Sequence, residues 1–186
     1  MYSARDELKK IIQAQALLYS QNWIRLSSGG QSQHYLDIKR ISLAPKAFQL
    51  IGHCIYEKIK NLKFNGIGGP VFGAVPLVAA VLNCLWKNSR YVEGFAIRSE
   101  AKQYGMQRQI EGNLEEITEV VLVDDVLTTG QSLLKAAKVV QSHGLKTKMI
   151  VVLVDREEGG EGLLLNNGFS VKSVFTLSEL LGGKDG

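Results

Sequence analysis

The sequence predicts an α/β fold, in which a doubly wound, twisted parallel sheet carries helices on both faces. Strand-like and helix-like segments alternate from residue 45 onward. The runs VVLV (residues 120–123) and MIVVLV (residues 149–154) are apolar without polar alternation, which is typical of strands buried on both faces. A length of 186 residues with 45% hydrophobic residues fits one domain with a complete core.

The first part of the chain is predicted to be an appendage to this sheet. Residues 4–19 have apolar side chains at helical spacing, a glycine-containing turn covers residues 27–32, and a short strand follows over residues 34–38. We expect the later helices and strands at residues 45–60, 64–68, 73–87, 91–97, 120–123, 131–143, 147–154, 163–167 and 170–175.

Charge and hydropathy disfavour two classes of partner. The net charge of +4 is mild and forms no basic stripe, so a nucleic-acid partner is not expected. The longest apolar stretch, residues 75–86, is interrupted by Pro76 and Asn83 and is too short to cross a bilayer, so no membrane partner is expected. The charged N-terminus does not resemble a signal peptide, which predicts a cytoplasmic protein.

Residues 98–113, RSEAKQYGMQRQIEGN, form an unusually long polar segment for a compact domain. Loops of this length are usually functional lids or disordered connections. We interpret the segment as a lid, with an ordinary solvated connection as the alternative.

The segment EVVLVDDVLTTGQS, residues 119–132, carries the clearest chemistry. A buried strand ends in Asp124 and Asp125, and small and hydroxyl-bearing residues then lead into a helix, whose N-terminus attracts phosphate. Neighbouring carboxylates accept hydrogen bonds from a sugar diol or hold hydrated Mg²⁺. A ligand that carries a diol at one end for the acids and a phosphate at the other end for the loop is ribose 5-phosphate.

This segment resembles the phosphoribosyl-pyrophosphate (PRPP) motif of type I phosphoribosyltransferases. Residues 26–40, 97–112 and 151–160 are similar to three further motifs of the orotate phosphoribosyltransferases in that family. The resemblance implies a single domain over residues 1–186, with about residues 1–40 as an N-terminal hood. It implies transfer of the phosphoribosyl group from PRPP to orotate in pyrimidine biosynthesis, and a homodimer whose lids are shared between subunits.

The resemblance also implies a role for individual residues. PRPP contacts are implied for Arg98, Lys102, Tyr104, Asp124, Asp125, Val126, Leu127, Thr128, Thr129, Gly130, Gln131 and Ser132. Orotate contacts are implied for Thr128, Arg156, Ser27, Ser28 and Gly29. The implied catalytic residues are Lys102, Arg98, Asp124 and Asp125, with Mg²⁺ held mainly by the substrate near the two acids.

Four positions depart from the commoner family pattern, and two alternative functions stay open. Ser99 stands where many members carry a lysine, and we hypothesise that Arg108 compensates. Tyr104 stands where many members carry a histidine, Ser27 where some carry a lysine, and Gln33 where a proline is frequent. The first alternative is a phosphoribosyltransferase for another base, which Arg156 disfavours because an arginine fork suits a carboxylate. The second is a non-catalytic PRPP-sensing regulator, which Arg98 and Lys102 disfavour.

Overall fold

The N-terminal segment forms a short helix and a two-stranded antiparallel sheet. The computed structural model describes residues 3–25, 31–100 and 109–182. The first elements are α1 (Ala4–Ile11), a π-helical turn (Ile12–Ala16), β1 (Leu17–Arg25), β2 (Gln31–Leu36) and α2 (Lys39–Ser42). The helix predicted over residues 4–19 is wrong at its end, because Leu17 pairs with Leu36 in the β ladder. This pairing overrides the local helical spacing.

The remaining elements build a six-stranded sheet with helices between its strands. They are α3 (Pro45–Ile59), β3 (Gly66–Pro70), α4 (Ala74–Lys87), β4 (Glu93–Ile97), β5 (Ile110–Gly112), β6 (Glu119–Leu127), α5 (Gln131–Ser142), β7 (Lys146–Asp155), α6 (Gly160–Asn166), β8 (Val171–Thr176) and α7 (Leu177–Leu180). The strand order is β5-β4-β3-β6-β7-β8. All neighbouring pairs are parallel except β4 and β5, which are antiparallel.

Strand β6 contributes to the core on both faces of the sheet. Val121 and Val123 belong to a hydrophobic cluster with α1, α3 and α4. Val120 and Leu122 belong to a second cluster with α5 and α6. All four side chains are fully buried. The predicted α/β fold, with a mostly parallel sheet buried between helices, is confirmed.

Three boundaries differ from the sequence prediction in ways that affect the site. Strand β6 runs on to Leu127 instead of ending at residue 123, because Val126 and Leu127 continue the ladder with β7. Residues 110–112, predicted within the lid, form β5. The turn predicted over residues 27–32 ends earlier, since Gln31 and Ser32 already belong to β2, which stops at Leu36.

The strands diverge at one place in the sheet, between β3 and β6. Their ladder reaches only from Gly66 and Val120 to Gly68 and Leu122. From β3 the chain continues outward to β4 and β5, and then returns to the other side of β3 to form β6. A reversal of strand order of this kind leaves a crevice at the carboxyl ends of the strands, where open α/β sheets bind ligands.

Among the residues that the structure describes, no helix is long and apolar enough to cross a membrane.

Candidate functional site

A cavity of about 580 Å³ opens at the carboxyl ends of the central strands. Ten of the residues predicted for the site line it: Arg98, Asp124, Asp125, Val126, Leu127, Thr128, Thr129, Gly130, Ser132 and Arg156. Residues to which the sequence analysis gave no role also line it, among them Tyr35, Lys39, Phe72, Gly73, Gln109 and Lys135. The cavity therefore joins segments that are far apart in the chain.

The two acids lie on the part of β6 that has no β3 partner. Asp124 and Asp125 are 8% and 7% exposed. The backbone N–H of Asp125 donates to Asp124 Oδ1 at 2.9 Å, and the N–H of Val126 donates to Asp125 Oδ1 at 2.9 Å. Burial raises the pKa of Asp124 well above its ordinary value, and the charge of Asp125 raises it further. The two buried acids therefore differ in their surroundings. Asp124 has a raised pKa, and Asp125 has a cationic partner.

That cationic partner is Lys39, the first residue of α2. Its Nζ lies 3.1 Å from Asp125 Oδ2, and its side chain is 62% exposed. Burial alone would lower the pKa of Lys39, but the charge of Asp125 and the hydrogen bond to it raise the pKa above its ordinary value. On the other side of the same carboxylate lies Gly73, where a Cβ would overlap with the Asp125 oxygens. The glycine therefore allows Asp125 to lie against the start of α4.

The loop after β6 leads into α5 through a glycine in the left-handed region. Gly130 has φ of 79° and is the N-cap of α5. A Cβ at this position would lie 2.8 Å from the carbonyl oxygen of Gly160, so the loop packs closely on α6. No side chain caps the helix, and its first turn carries no acid. The positive end of the α5 dipole thus faces the cavity, and the first turn of the helix itself carries no carboxylate to offset it.

Arg156 follows β7 directly and is held in a fixed position. Its side chain is 5% exposed, and its Nε donates to Glu158 Oε1 at 2.7 Å. Its backbone N–H donates to the carbonyl of Leu127 at 2.9 Å, which ties it to the end of β6. The carboxylate of Asp155 accepts from the N–H of Glu157 at 2.8 Å and stabilises the turn. With Nε occupied, the two terminal nitrogens of the guanidinium remain as a fork for a planar anion.

Arg98 stands at the opposite side of the cavity, at the base of the predicted lid. Its Nε lies 2.9 Å from Glu111 Oε1, and its side chain is 43% exposed. Its N–H donates to the carbonyl of Gln109 at 2.9 Å, and Gln109 Nε2 donates to the carbonyl of Arg98 at 3.2 Å. These two hydrogen bonds connect Arg98 with Gln109, which both lie within the predicted lid, and fix Arg98 next to the cavity.

Six predicted residues do not take part in the described cavity. Gln131, the first residue of α5, does not line it. Lys102, Tyr104, Ser27, Ser28 and Gly29, together with Arg108, lie outside the described residues. Their roles stay predictions.

Comparison with known proteins assigns the family. The family model of the phosphoribosyl transferase domain matches residues 37–170. The orotate phosphoribosyltransferase of Aquifex aeolicus (strain VF5) is 38% identical over 178 residues, which cover 95% of this chain and 97% of that protein. The chain belongs to the orotate phosphoribosyltransferase family. The family predicted from the four sequence motifs is therefore confirmed.

Solved structures of orotate phosphoribosyltransferases have the same fold. The Mycobacterium tuberculosis H37Rv enzyme in complex with PRPP has a TM-score of 0.79 and 28% identity, and the match covers 96% of this chain and 99% of that one. The UMP synthase of Leishmania donovani has a TM-score of 0.83 and 29% identity, and the match covers 97% of this chain but 38% of that one. The predicted type I phosphoribosyltransferase fold is confirmed by these likenesses.

Sequence reasoning about this phosphoribosyltransferase missed two contacts of the cavity. Lys39 stands in the motif over residues 26–40, yet nothing in the sequence predicts its ion pair with Asp125, which is 86 positions away. Glu158 was part of the motif around Arg156, and its contact with Arg156 Nε was not predicted. The available signal was the charge alternation in DREE, residues 155–158, which places a carboxylate two positions after the arginine.

Proposed function

We propose that this chain is an orotate phosphoribosyltransferase, which transfers the 5-phosphoribosyl group from PRPP to orotate and releases diphosphate. The observation that carries the proposal is the order of groups along the cavity. Arg98 directly follows β4 and Arg156 directly follows β7, on opposite sides of β6, which carries the acid pair and leads into α5. The product, orotidine 5′-monophosphate, places the reaction in the pyrimidine route to UMP.

The sheet order separates the two ends of the reaction. Arg156 follows β7, on one side of β6, and Arg98 follows β4, beyond β3 on the other side. We assign the orotate carboxylate to the Arg156 fork and the diphosphate of PRPP to the side of Arg98. Between them the acid pair is suited to the ribose hydroxyls, and the loop at residues 128–132 to the 5-phosphate.

The chemistry requires stabilisation of a departing anion. The bond between C1 of the ribose and the diphosphate oxygen breaks, and a bond forms between C1 and a ring nitrogen of orotate, which loses its proton. Negative charge grows on the diphosphate, so a cation fixed beside it lowers the barrier. Arg98 is placed for this task, and Lys102 on the lid is the second residue that we propose for it.

The residues of the cavity fit a Mg²⁺ ion that enters with PRPP. Two carboxylates at one strand end supply the oxygen ligands that this ion prefers. We propose that the substrate supplies most of the ligands of this ion, with Asp124 and Asp125 nearby. Bound there, Mg²⁺ would offset negative charge on the leaving group.

The direct test is the loss of orotate absorbance in the presence of PRPP and Mg²⁺. We expect turnover with orotate and none with adenine, hypoxanthine or uracil, because these bases have no carboxylate for Arg156. Turnover of a purine instead would support the alternative of another base. Binding of PRPP without turnover of any of these bases would support a regulator.

We further propose that about residues 1–40 form a hood over the site and that two chains share their lids in a homodimer. The hood is supported by Tyr35 and Leu36, which line the cavity. The shared lid can be tested by mixing inactive Lys102→Ala and Asp125→Asn chains. A lid that closes over the partner's site predicts recovery of about one quarter of the wild-type activity, from one intact site in half of the dimers. No recovery would show that each lid closes over its own site.

A further inference from the structure

We infer that Lys39 is a PRPP-binding residue, which neutralises Asp125 in the empty cavity and contacts the diphosphate when PRPP is bound. This inference rests on the proposed function and extends it to a residue for which the sequence gave no role. Three observations carry it: the ion pair of Lys39, its exposure and its side of the sheet.

The first observation is that Lys39 is paired with Asp125, the acid that lies against Gly73 at the start of α4. Its Nζ lies 3.1 Å from Asp125 Oδ2. The proposed function requires this carboxylate for the sugar of PRPP, so a bound substrate competes with Lys39 for the same oxygens. When the ribose hydroxyls engage Asp125, the ammonium group needs a new anionic partner, and the nearest anion on the substrate is the group attached to C1.

The second observation is that Lys39 has the freedom to change partners. Its side chain is 62% exposed although its end group lines the cavity. Only the lysine end of the pair is exposed, because the Asp125 side chain is 10% exposed. Breaking the pair is therefore costly unless other donors replace the ammonium group, and the ribose hydroxyls of PRPP would supply such donors. A lysine with four rotatable side-chain bonds can follow a phosphate group over a few ångströms, unlike the buried and fixed Arg156.

The third observation is the side of the cavity on which Lys39 lies. The Asp125 carboxylate, with which Lys39 pairs, lies against Gly73 at the start of α4, directly after β3. Strand β3 borders β6 on the side towards β4, which Arg98 follows, and not on the side of β7, which Arg156 follows. Ser99, which follows Arg98 and also lines the cavity, carries no charge. Lys39 thus adds a second described cation to the end of the cavity that we assign to the leaving group.

The test compares Lys39→Met, which keeps the length of the side chain and removes its charge, with Lys39→Arg, which keeps the charge. The matched control is Lys46→Met, because Lys46 is also exposed, forms an ion pair with Glu7 and lies outside the cavity lining. Binding of PRPP, inorganic diphosphate and ribose 5-phosphate is measured by calorimetry with Mg²⁺, and the KM for each substrate by the orotate assay.

We expect Lys39→Met to weaken binding of PRPP and diphosphate about 10- to 100-fold, the range for one hydrogen bond to a charged group. Ribose 5-phosphate binding and the KM for orotate stay close to the wild type, whereas the Tm falls because the buried Asp125 loses its cationic partner. Lys39→Arg restores most of the PRPP affinity, and Lys46→Met changes none of these values.

Two outcomes would overturn the inference. Unchanged PRPP affinity in Lys39→Met would remove Lys39 from the binding site. Equal weakening of PRPP and ribose 5-phosphate would mean that Lys39 only positions Asp125 for the ribose. Both outcomes can be told apart from failure of the proposed function, since the binding titrations do not depend on turnover of orotate.

Discussion

The two ends of the cavity hold their cations in opposite ways. At the β7 end, Arg156 is 5% exposed in its side chain and its Nε is fixed by Glu158. At the β3 and β4 end, the side chains of Lys39 and Arg98 are 62% and 43% exposed. Lys39 is paired with the buried Asp125, and Arg98 is paired with Glu111, which is partly exposed. One end is rigid and desolvated before any ligand binds, and the other is hydrated and adaptable.

The difference corresponds to two tasks. A flat base with a carboxylate is recognised by a preorganised fork, because no side-chain entropy has to be lost on binding. A diphosphate must enter with one set of contacts and depart with another, so cations that can exchange partners are better suited to it. The Lys39 variants test this contrast, and so do three further substitutions: Arg156→Lys, Arg98→Ala and Asp124→Asn.

The largest expected effect is that of Arg156→Lys. A lysine keeps the charge but cannot form the two parallel hydrogen bonds of the fork, and it leaves Glu158 without its buried donor. We expect kcat/KM for orotate to fall about 10³-fold, as for sites that lose a buried polar contact with the substrate. PRPP affinity stays unchanged. The measurement is steady-state kinetics with each substrate varied.

The matched control for this variant is Arg90→Lys. Arg90 is another arginine with specific contacts, donating to the carbonyls of Lys60 and Leu62 and stacking over Phe64, and it does not line the cavity. The Arg90→Lys substitution should lower the Tm without changing kcat/KM for orotate. A similar loss of orotate turnover in both variants would mean that Arg156 acts through stability alone.

The next effect in size is that of Arg98→Ala. Removing a cation that stabilises charge in the transition state typically costs about 10²-fold in kcat. Stability should change by less than about 0.5 kcal/mol, because the ion pair with Glu111 is half exposed. Lys148→Ala removes the comparable pair with Glu119, outside the cavity lining, and serves as control. Equal kcat in the two variants would contradict the assignment of Arg98 to the leaving group.

The acid pair between the two ends gives the smallest effect, on stability. The pKa of Asp124 is raised by burial and by the charge of Asp125, so folding favours the protonated carboxyl group. Its contribution to stability is present below its ordinary pKa and is lost as pH rises through the raised value. Asp124→Asn avoids this loss while abolishing a proposed ribose contact.

We therefore expect the ligand-free Asp124→Asn chain to melt about 2–4 °C above the wild type at alkaline pH, which corresponds to about 1 kcal/mol. The difference should shrink towards acidic pH. Thermal melting over a pH series measures it. A variant that melts below the wild type at alkaline pH would show that the Asp124 carboxylate is stabilised in the folded chain.

Local pattern predicted the centre of the site, whereas long-range contacts determined its edges. The order of a strand, a loop and a helix start over residues 120–132 was predicted correctly, because the apolar run, Gly130 and the following helix are adjacent in sequence. The strand end at residue 123 was wrong because Val126 and Leu127 pair with β7, which local sequence does not show. Arg156 was found because residues 151–160 resemble a family motif, and its place directly after an apolar strand supported that prediction.

The role of Lys39 and the true course of residues 17–25 were missed for one physical reason. Lys39 reaches Asp125 across 86 positions, and Leu17 becomes extended by pairing with Leu36. Neither partner can be read from neighbouring residues.

The contrast between the two ends is tested most directly by titrating PRPP, with Mg²⁺ and without orotate, into the wild type, Arg156→Lys and Lys39→Met. A cavity with separate base and leaving-group ends predicts wild-type affinity in Arg156→Lys and clearly weaker binding in Lys39→Met. Loss of PRPP affinity in Arg156→Lys to the same degree as in Lys39→Met would contradict the separation.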